Sequence, residues 1–122
     1  TIDGVRIALL ICYELRFAEV FAAVAGQVDC IVLIANWPAA RRPHWDTLLR
    51  ARAIENQCAV IGVNRTGTGG GIAYDGGSAA YDAWGEALPV AEGCPVAVVT
   101  VDAAAVADIR ERYPFLRDRS RT

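Results

Sequence analysis

The 122-residue chain contains no methionine and no lysine. Because a complete translation product begins with methionine, we expect further residues to precede Thr1 in the natural protein. All 12 cationic side chains are arginines, whose guanidinium stays protonated and serves poorly as a proton shuttle. A mechanism that needs a lysine must therefore obtain it from outside this chain.

Metal ligands and disulfide patterns are also scarce. His44 is the single histidine, and the four cysteines (Cys12, Cys30, Cys58 and Cys94) contain no Cys-x-x-Cys pair. Zinc sites are typically built from such pairs, from several histidines, or from both. The sequence therefore predicts neither a metal site nor a disulfide framework.

The charge and hydropathy patterns exclude several classes of partner. The formal net charge is −2, and acidic and basic residues are mixed along the chain, which gives no footprint for nucleic acid or an anionic membrane. No apolar segment reaches the roughly 20 residues of a membrane-spanning helix, and the first residues lack a signal-peptide pattern. We expect a cytoplasmic protein with reduced thiols that acts on a small molecule or contacts another protein.

Apolar runs and helical patterns alternate in the first half of the chain, which indicates a single α/β domain. The predicted strands are 5–11, 30–35 and 59–63, with helices at 16–25 and from about Pro43. The glycine-rich segment 67–71 is predicted to be a mobile loop near the site, because no phosphate-loop signature follows it. Short strands are then predicted at 77–83, 87–90 and 96–101, followed by a helix at 103–112 and a solvated or interface arm at 117–122.

Cys12 lies directly after the first apolar run and before a charged segment that contains Glu14 and Arg16. A strand that ends in a sharp turn exposes the side chain at its tip and directs backbone N–H groups at the atom under attack. Free cysteine is also a common buried hydrophobe, so position alone leaves both interpretations open. Cys30, Cys58 and Cys94 have no charged cluster after them and are interpreted as structural.

Asn36 and Trp37 follow the second predicted strand. Ligands gather at the carboxyl ends of strands in open α/β sheets, so we expect both residues near Cys12, although Trp37 is equally consistent with packing. On the second helix, Arg52 and Glu55 fall on or beside the apolar face, where they are predicted to pair and to orient the turn after Cys12. A solvated ion pair is the simpler alternative for these two residues.

The order of motifs resembles a known family. The segment Cys12-Tyr13-Glu14-Leu15-Arg16-Phe17-Ala18-Glu19 is similar to the nucleophile motif of the nitrilase, or carbon-nitrogen hydrolase, superfamily, which usually has proline at the place of Ala18. The resemblance continues through 36–41, 44–45, 48–49, 51–57, 62–67 and 74–78. Within the superfamily, the Asn36-Trp37-Pro38 and Arg52–Gln57 segments most resemble omega-amidases, which act on 2-oxoglutaramate and related amides.

The resemblance implies an α/β fold that forms half of a four-layer αββα sandwich, in a homodimer or higher oligomer. It also implies a cofactor-free Glu-Lys-Cys mechanism on a small-molecule amide. The implied site residues are Cys12 as nucleophile, the Tyr13 backbone N–H as oxyanion donor, and Asn36, Trp37 and Asn64 at the substrate. Separately, Glu14, Arg16, Arg52 and Glu55 are predicted to be structural support. Arg41 or Arg42 is a candidate to bind a substrate carboxylate.

The family's catalytic glutamate and lysine lie upstream of the cysteine, whereas only 11 residues precede Cys12 here. We therefore expect residues 1–122 to be the C-terminal portion of one carbon-nitrogen hydrolase domain, inactive without the N-terminal half. Glu14, Glu19 and Glu55 are not assigned as the catalytic base. Two alternatives remain open: a nonenzymatic relic acting as an interaction module, and another superfamily activity such as that of a carbamoylase or nitrilase.

Overall fold

The computed structural model describes residues 1–93 and 96–119, so Cys94 and the end of the arginine-rich tail lie outside the described residues. Its strands and α-helices are, in order, β1 (Ile7–Ile11), α1 (Ala18–Ala25), β2 (Cys30–Ala35), α2 (Arg42–Asn56), β3 (Ala59–Asn64), β4 (Thr66–Gly69), β5 (Ile72–Asp75), β6 (Ala79–Tyr81), β7 (Ala91–Gly93), β8 (Val96–Val98), α3 (Ala103–Arg112) and α4 (Phe115–Arg119). Two 3₁₀ turns, Cys12–Arg16 and Ala39–Arg41, follow β1 and precede α2. The predicted α/β class is confirmed.

The main sheet has the strand order β1-β2-β3-β6. The first three strands are parallel and β6 joins antiparallel. Ile11 lies opposite Ile34, and Ile34 lies opposite Val63, so the carboxyl ends of the three parallel strands finish side by side. The edge expected to carry the site is therefore formed by residues from three separate segments of the chain.

Helices α1 and α2 cover one face of this sheet. Leu33 and Val60 belong to the buried cluster beneath them, together with Trp45 and Leu49 of α2. Gly62 permits the close approach of α2, because a Cβ atom there would lie 2.6 Å from a Leu49 methyl carbon and 2.8 Å from the Trp45 ring. The helix therefore packs directly onto the backbone of β3.

The opposite face of the parallel strands is apolar and open to solvent among the described residues. Its exposed fractions are 76% for Leu9, 61% for Ile11, 56% for Ile34 and 46% for Val63. Parallel sheets are normally covered on both faces, and soluble monomers rarely expose contiguous apolar patches of this kind. We call these four residues the open face.

The glycine-rich segment is not the predicted mobile loop. It forms the antiparallel hairpin β4–β5, in which Thr66 lies opposite Asp75 and Gly69 lies opposite Ile72. Gly70 and Gly71 make the connection with φ angles of +56° and +79°. A two-residue hairpin turn with both φ angles positive favours paired glycines, which explains the sequence of the tip.

The later strands are shorter than predicted. The predicted strand 87–90 is wrong, since Ala87 makes a single bridge to Tyr81 and 88–90 lie outside any strand. Pro89 lacks the N–H that a continuing ladder requires. Segments 77–83 and 96–101 shrink to β6 and β8, and β7 was not predicted.

The helices agree with the sequence more closely. Helix α3 has the predicted bounds, and the Asp102 side chain caps it by accepting from the Ala104 N–H at 2.9 Å. Segment 117–122 was predicted to be a solvated or interface arm. Its described residues, 117–119, are exposed but belong to α4, and Arg119 donates to the Asn56 side chain at 3.0 Å. None of the described helices is both long and apolar enough to span a membrane.

Candidate active site

Cys12 occupies a strained position at the end of β1. Its φ angle is +40°, in the left-handed region that residues with a Cβ atom rarely adopt. Such a conformation costs about 1–3 kcal/mol and occurs preferentially at functional sites. The half-buried thiol donates to the Asn36 carbonyl oxygen at 3.8 Å, which confirms that these two strand ends are neighbours.

The turn after Cys12 is held by side chains on both sides. The Glu14 carboxylate accepts from the Ile11 N–H at 2.9 Å. Buried Arg52 donates to the Leu15 carbonyl at 3.1 Å and to the Glu55 carboxylate at 2.9 Å. The predicted pairing of Arg52 with Glu55 and the predicted contact with the turn are therefore both present.

Arg16 links this turn to the loop that leaves β2. Its guanidinium donates to Nδ1 of His44 at 3.1 Å and lies 4.8 Å from the centre of the Trp37 ring. The cation stacks on the indole face and orients it. His44 therefore supports Arg16.

Asn64 is committed to backbone groups. The side chain is 7% exposed, accepts from the Trp37 N–H at 2.7 Å and donates to the carbonyls of Trp37 at 3.1 Å and Gly76 at 2.8 Å. The buried Trp37 ring in turn donates to the Arg41 carbonyl at 2.8 Å. This geometry gives both side chains a positioning role, and direct contact of either with substrate stays a prediction.

The two candidate arginines differ in their surroundings. Arg42 forms ion pairs with Asp46 at 2.9 Å and Asp75 at 3.4 Å, and the hydrogen bond to Asp46 raises its pKa. Arg41 is exposed, and within the described part of the chain its guanidinium has no polar partner. Arg41 is therefore the arginine that remains available to a ligand.

Ser78 is a site residue that sequence reasoning missed. Its hydroxyl accepts from the Asn64 N–H at 2.9 Å and lies 3.3 Å from the Asn64 carbonyl oxygen. Ser78 thereby fixes the end of β3, where the side chain of Asn64 holds the loop that contains Trp37. Ser78 is the last residue of segment 74–78, one of the segments that carry the family resemblance. Its partner Asn64 lies 14 residues away in the sequence, so no local sequence pattern indicates this hydrogen bond.

The other described cysteines lie in a different environment. Cys30 and Cys58 are free and fully buried. Burial raises the pKa of Cys30 to about 11 and that of Cys58 to about 12, so both remain thiols at neutral pH. In residues 1–93 and 96–119, no group of three or more His, Cys, Asp or Glu side chains is placed to hold a metal ion.

The described residues thus form a parallel sheet whose first strand ends in a strained turn that carries Cys12. The chain belongs to the carbon-nitrogen hydrolase family, whose sequence pattern matches residues 1–111. The predicted family resemblance is therefore confirmed.

Two named amidases are similar to the chain in sequence. The chain is 40% identical over 118 residues to omega-amidase YafV of Escherichia coli K12, covering 94% of this chain and 46% of that protein. It is 37% identical over 121 residues to 2-oxoglutaramate amidase of Bacillus subtilis, covering 96% and 46%. The chain thus spans about half the length of the curated relatives it matches.

A solved structure has the same fold. XC1258 from Xanthomonas campestris, a CN-hydrolase superfamily protein with an arsenic adduct in its active site, aligns with a TM-score of 0.81 and 43% identity. The alignment covers 95% of this chain and 47% of that chain. The α/β fold is that of the family, over about half of its length.

Proposed function

We propose that the protein containing this chain hydrolyses omega-amides, the monoamides of short dicarboxylic acids such as 2-oxoglutaramate, and releases ammonia. The observation that carries the proposal is the strained turn Cys12–Arg16, which we call the elbow and which presents Cys12 beside Asn36. An omega-amidase and a 2-oxoglutaramate amidase are among the relatives of the chain, at 40% and 37% identity.

The chemistry proceeds through a thioester. The Cys12 thiolate attacks the amide carbon, and the backbone N–H of Tyr13 donates to the oxygen that becomes negatively charged. The C–N bond then breaks, and ammonia leaves with a proton delivered by a general acid. Water hydrolyses the C–S bond, which releases the carboxylic acid and restores the thiol.

We propose that the general acid, the general base and the lysine ammonium group needed for this reaction belong to residues outside the chain. The chain contains no lysine, and Glu14 and Glu55 are engaged with Ile11 and Arg52. The resemblance implies that an N-terminal half supplies the catalytic glutamate and lysine. We propose that this half also covers the open face and completes a four-layer αββα sandwich, which then assembles into a homodimer or higher oligomer.

Two observations support that arrangement. The open face consists of large aliphatic side chains exposed by 46–76%, an expensive surface to leave in water. The relatives are about twice as long as the chain. A nonenzymatic interaction module would also use the open face, and it is distinguished from the enzyme by the assay below.

The second carboxylate of an omega-amide requires a cation. Arg41 is the candidate, since Arg42 is paired with two aspartates and Arg16 with His44. The Trp37 ring fixes the Arg41 backbone through its carbonyl oxygen, so the arginine starts from a defined place. A guanidinium binds a carboxylate bidentately, and such bonds are stronger than those between neutral groups.

The test is ammonia release by the full-length protein over omega-amides, carbamoyl amino acids and nitriles. We expect omega-amides to be the best substrates, Cys12→Ala to abolish release, and the control variant Cys30→Ala to retain it. Unchanged release by Cys12→Ala overturns the thioester mechanism. A wild-type protein that acts on none of the three classes favours the interaction module, and one that prefers carbamoyl amino acids or nitriles reassigns the activity within the family.

The role of Arg41 is tested by charge selectivity. We expect Arg41→Gln to raise KM for 2-oxoglutaramate by about 10- to 100-fold without a comparable change for a neutral amide of the same length. The matched control Arg42→Gln removes ion pairs to Asp46 and Asp75 and leaves the ratio of the two KM values unchanged. Equal effects of Arg41→Gln on both substrates contradict this assignment.

A further inference from the structure

The elbow that presents Cys12 is fastened to the strand before it by Glu14. Oε1 of Glu14 accepts from the N–H of Ile11, the last residue of β1, at 2.9 Å. We propose that Glu14 is a positioning residue, which keeps the elbow in its strained form through this bond and transfers no proton. The inference deepens the proposed cysteine chemistry and rests on it for its kinetic readout.

The hydrogen bond to Glu14 gives the Ile11 N–H an acceptor at the edge of the sheet. Among the described residues, β1 is an edge strand of the main sheet, with β2 as its one strand partner. Every second N–H of an edge strand has no strand partner, and an unpaired N–H favours local rearrangement towards another acceptor. The Glu14 side chain reaches back from the third residue of the 3₁₀ turn to the residue before it, as in a capping box.

Because Cys12 has a strained backbone, the hydrogen bond between Glu14 and Ile11 affects where the thiol lies. A residue with a Cβ atom keeps a φ angle of +40° only where its surroundings prevent relaxation. The Cys12 side chain packs at the margin of the hydrophobic core. If the elbow relaxes, the thiol can rotate towards that core and away from the carboxyl edge where Asn36 lies.

A second fastening holds the other end of the same turn, and it is of a different kind. Arg52 donates from α2 to the Leu15 carbonyl, and its side chain is buried against the core. Its removal would affect the packing of two helices as well as the turn. Glu14 is half-buried and acts within the turn, so substitutions there test the elbow more selectively.

Three substitutions separate positioning from proton transfer. Glu14→Gln retains an oxygen at the same reach but carries no carboxylate, so it should keep the bond to Ile11. Glu14→Asp retains the carboxylate but is one methylene shorter, so it should lose the bond. Glu14→Ala removes the acceptor altogether, and Glu19→Ala, an exposed acidic residue in the first turn of α1, is the matched control.

The kinetic experiment uses the full-length protein and omega-amide hydrolysis. We expect Glu14→Ala and Glu14→Asp to lower kcat by about 100-fold, the usual effect of a misplaced reacting group, with KM within about twofold. Glu14→Gln and Glu19→Ala should stay within about threefold of the wild type. The proposal is overturned if Glu14→Gln loses as much as Glu14→Ala, or if Glu14→Asp and Glu14→Ala keep wild-type kcat.

A second readout does not depend on the substrate. The alkylation rate of Cys12 by iodoacetamide, measured by mass spectrometry of its peptide, should fall roughly tenfold in Glu14→Ala and Glu14→Asp and stay unchanged in Glu14→Gln. If the wild type hydrolyses no amide but this pattern appears, the proposed function fails and the positioning role stands. Equal alkylation rates in the wild type and the three Glu14 variants overturn the positioning role, provided that urea unfolding shows each protein to be folded.

Discussion

Polar side chains at the amino ends of the parallel strands bond to the termini of strands and helices, whereas those at the carboxyl ends bond to the segments around a half-buried thiol. At the amino ends, Asp29 is 6% exposed and accepts from the Arg6 backbone and side chain at 2.8, 3.2 and 2.8 Å. At the carboxyl ends, Glu14, Arg52 and Asn64 all bind main-chain groups. The first arrangement stabilises the strands, and the second shapes the segments around a thiol.

Arg110 shows the same principle at the amino ends. It lies half-buried at the ends of α1 and α2 and donates to the carbonyls of Ala25, Gln57 and Asn56 at 2.8, 2.8 and 3.3 Å. Its burial lowers the pKa of the guanidinium, but three acceptors compensate for the lost water. Asp29 and Arg110 therefore both bond to strand and helix ends within the fold.

The largest expected difference between the two ends is thiol reactivity. Burial raises the pKa of Cys30 to about 11 and that of Cys58 to about 12, so the fraction of reactive thiolate at neutral pH is very small. We expect iodoacetamide to modify half-buried Cys12 at least about 100-fold faster than either residue in the folded full-length protein. Mass spectrometry of the modified peptides measures the three rates, and similar rates would contradict the contrast.

Substitution of Asn64 should have the largest effect on stability. Asn64→Ala leaves buried backbone groups of Trp37 and Gly76 without their partner, which should lower the free energy of unfolding by about 3 kcal/mol. Urea unfolding of the full-length protein measures the change. The matched control Asn36→Ala alters an exposed amide and should leave stability almost unchanged. A comparable loss of stability in the control would contradict the stabilising role of the Asn64 hydrogen bonds.

Substitution of Asp29 should cost somewhat less. Asp29→Ala removes the acceptor of three hydrogen bonds from Arg6, whose own side chain can turn to solvent. We expect a loss of about 2 kcal/mol in the free energy of unfolding. The control Asp108→Ala breaks an exposed pair with Arg112 on α3, which should matter little. An equal loss of unfolding free energy in both variants would mean that the burial of Asp29 adds no stability.

The smallest expected effect is the pH dependence of the Asp29 contribution. Hydrogen bonds from Arg6 lower the pKa of the Asp29 carboxyl in the folded protein. Its stabilisation is therefore fully present above the unfolded-state pKa of about 3.9 and is lost as pH falls through the lower folded-state value. The difference in unfolding free energy between wild type and Asp29→Ala should shrink below about pH 4, whereas a constant difference would contradict the pairing.

Sequence patterns predicted the elements whose burial is periodic. Strand β2 and helix α3 have the predicted bounds, and the pairing of Arg52 with Glu55 follows from a spacing of three residues on one helix. The hairpin at Gly70 and Gly71 was missed, because glycine suits both a mobile loop and a tight turn. Whether a glycine pair closes a ladder depends on the strands that flank it.

The residues themselves determined the family, the α/β class and the placement of Cys12 after a buried strand, because hydrophobic period and a motif's order are local properties of the chain. The tertiary structure alone decided which polar groups meet at the carboxyl edge. Asn64 reaches Trp37 across 27 residues, and Arg16 reaches His44 across 28. Such bonds form only after the sheet has aligned its strand ends, since a hydrogen bond depends on a distance of about 3 Å that no sequence spacing specifies.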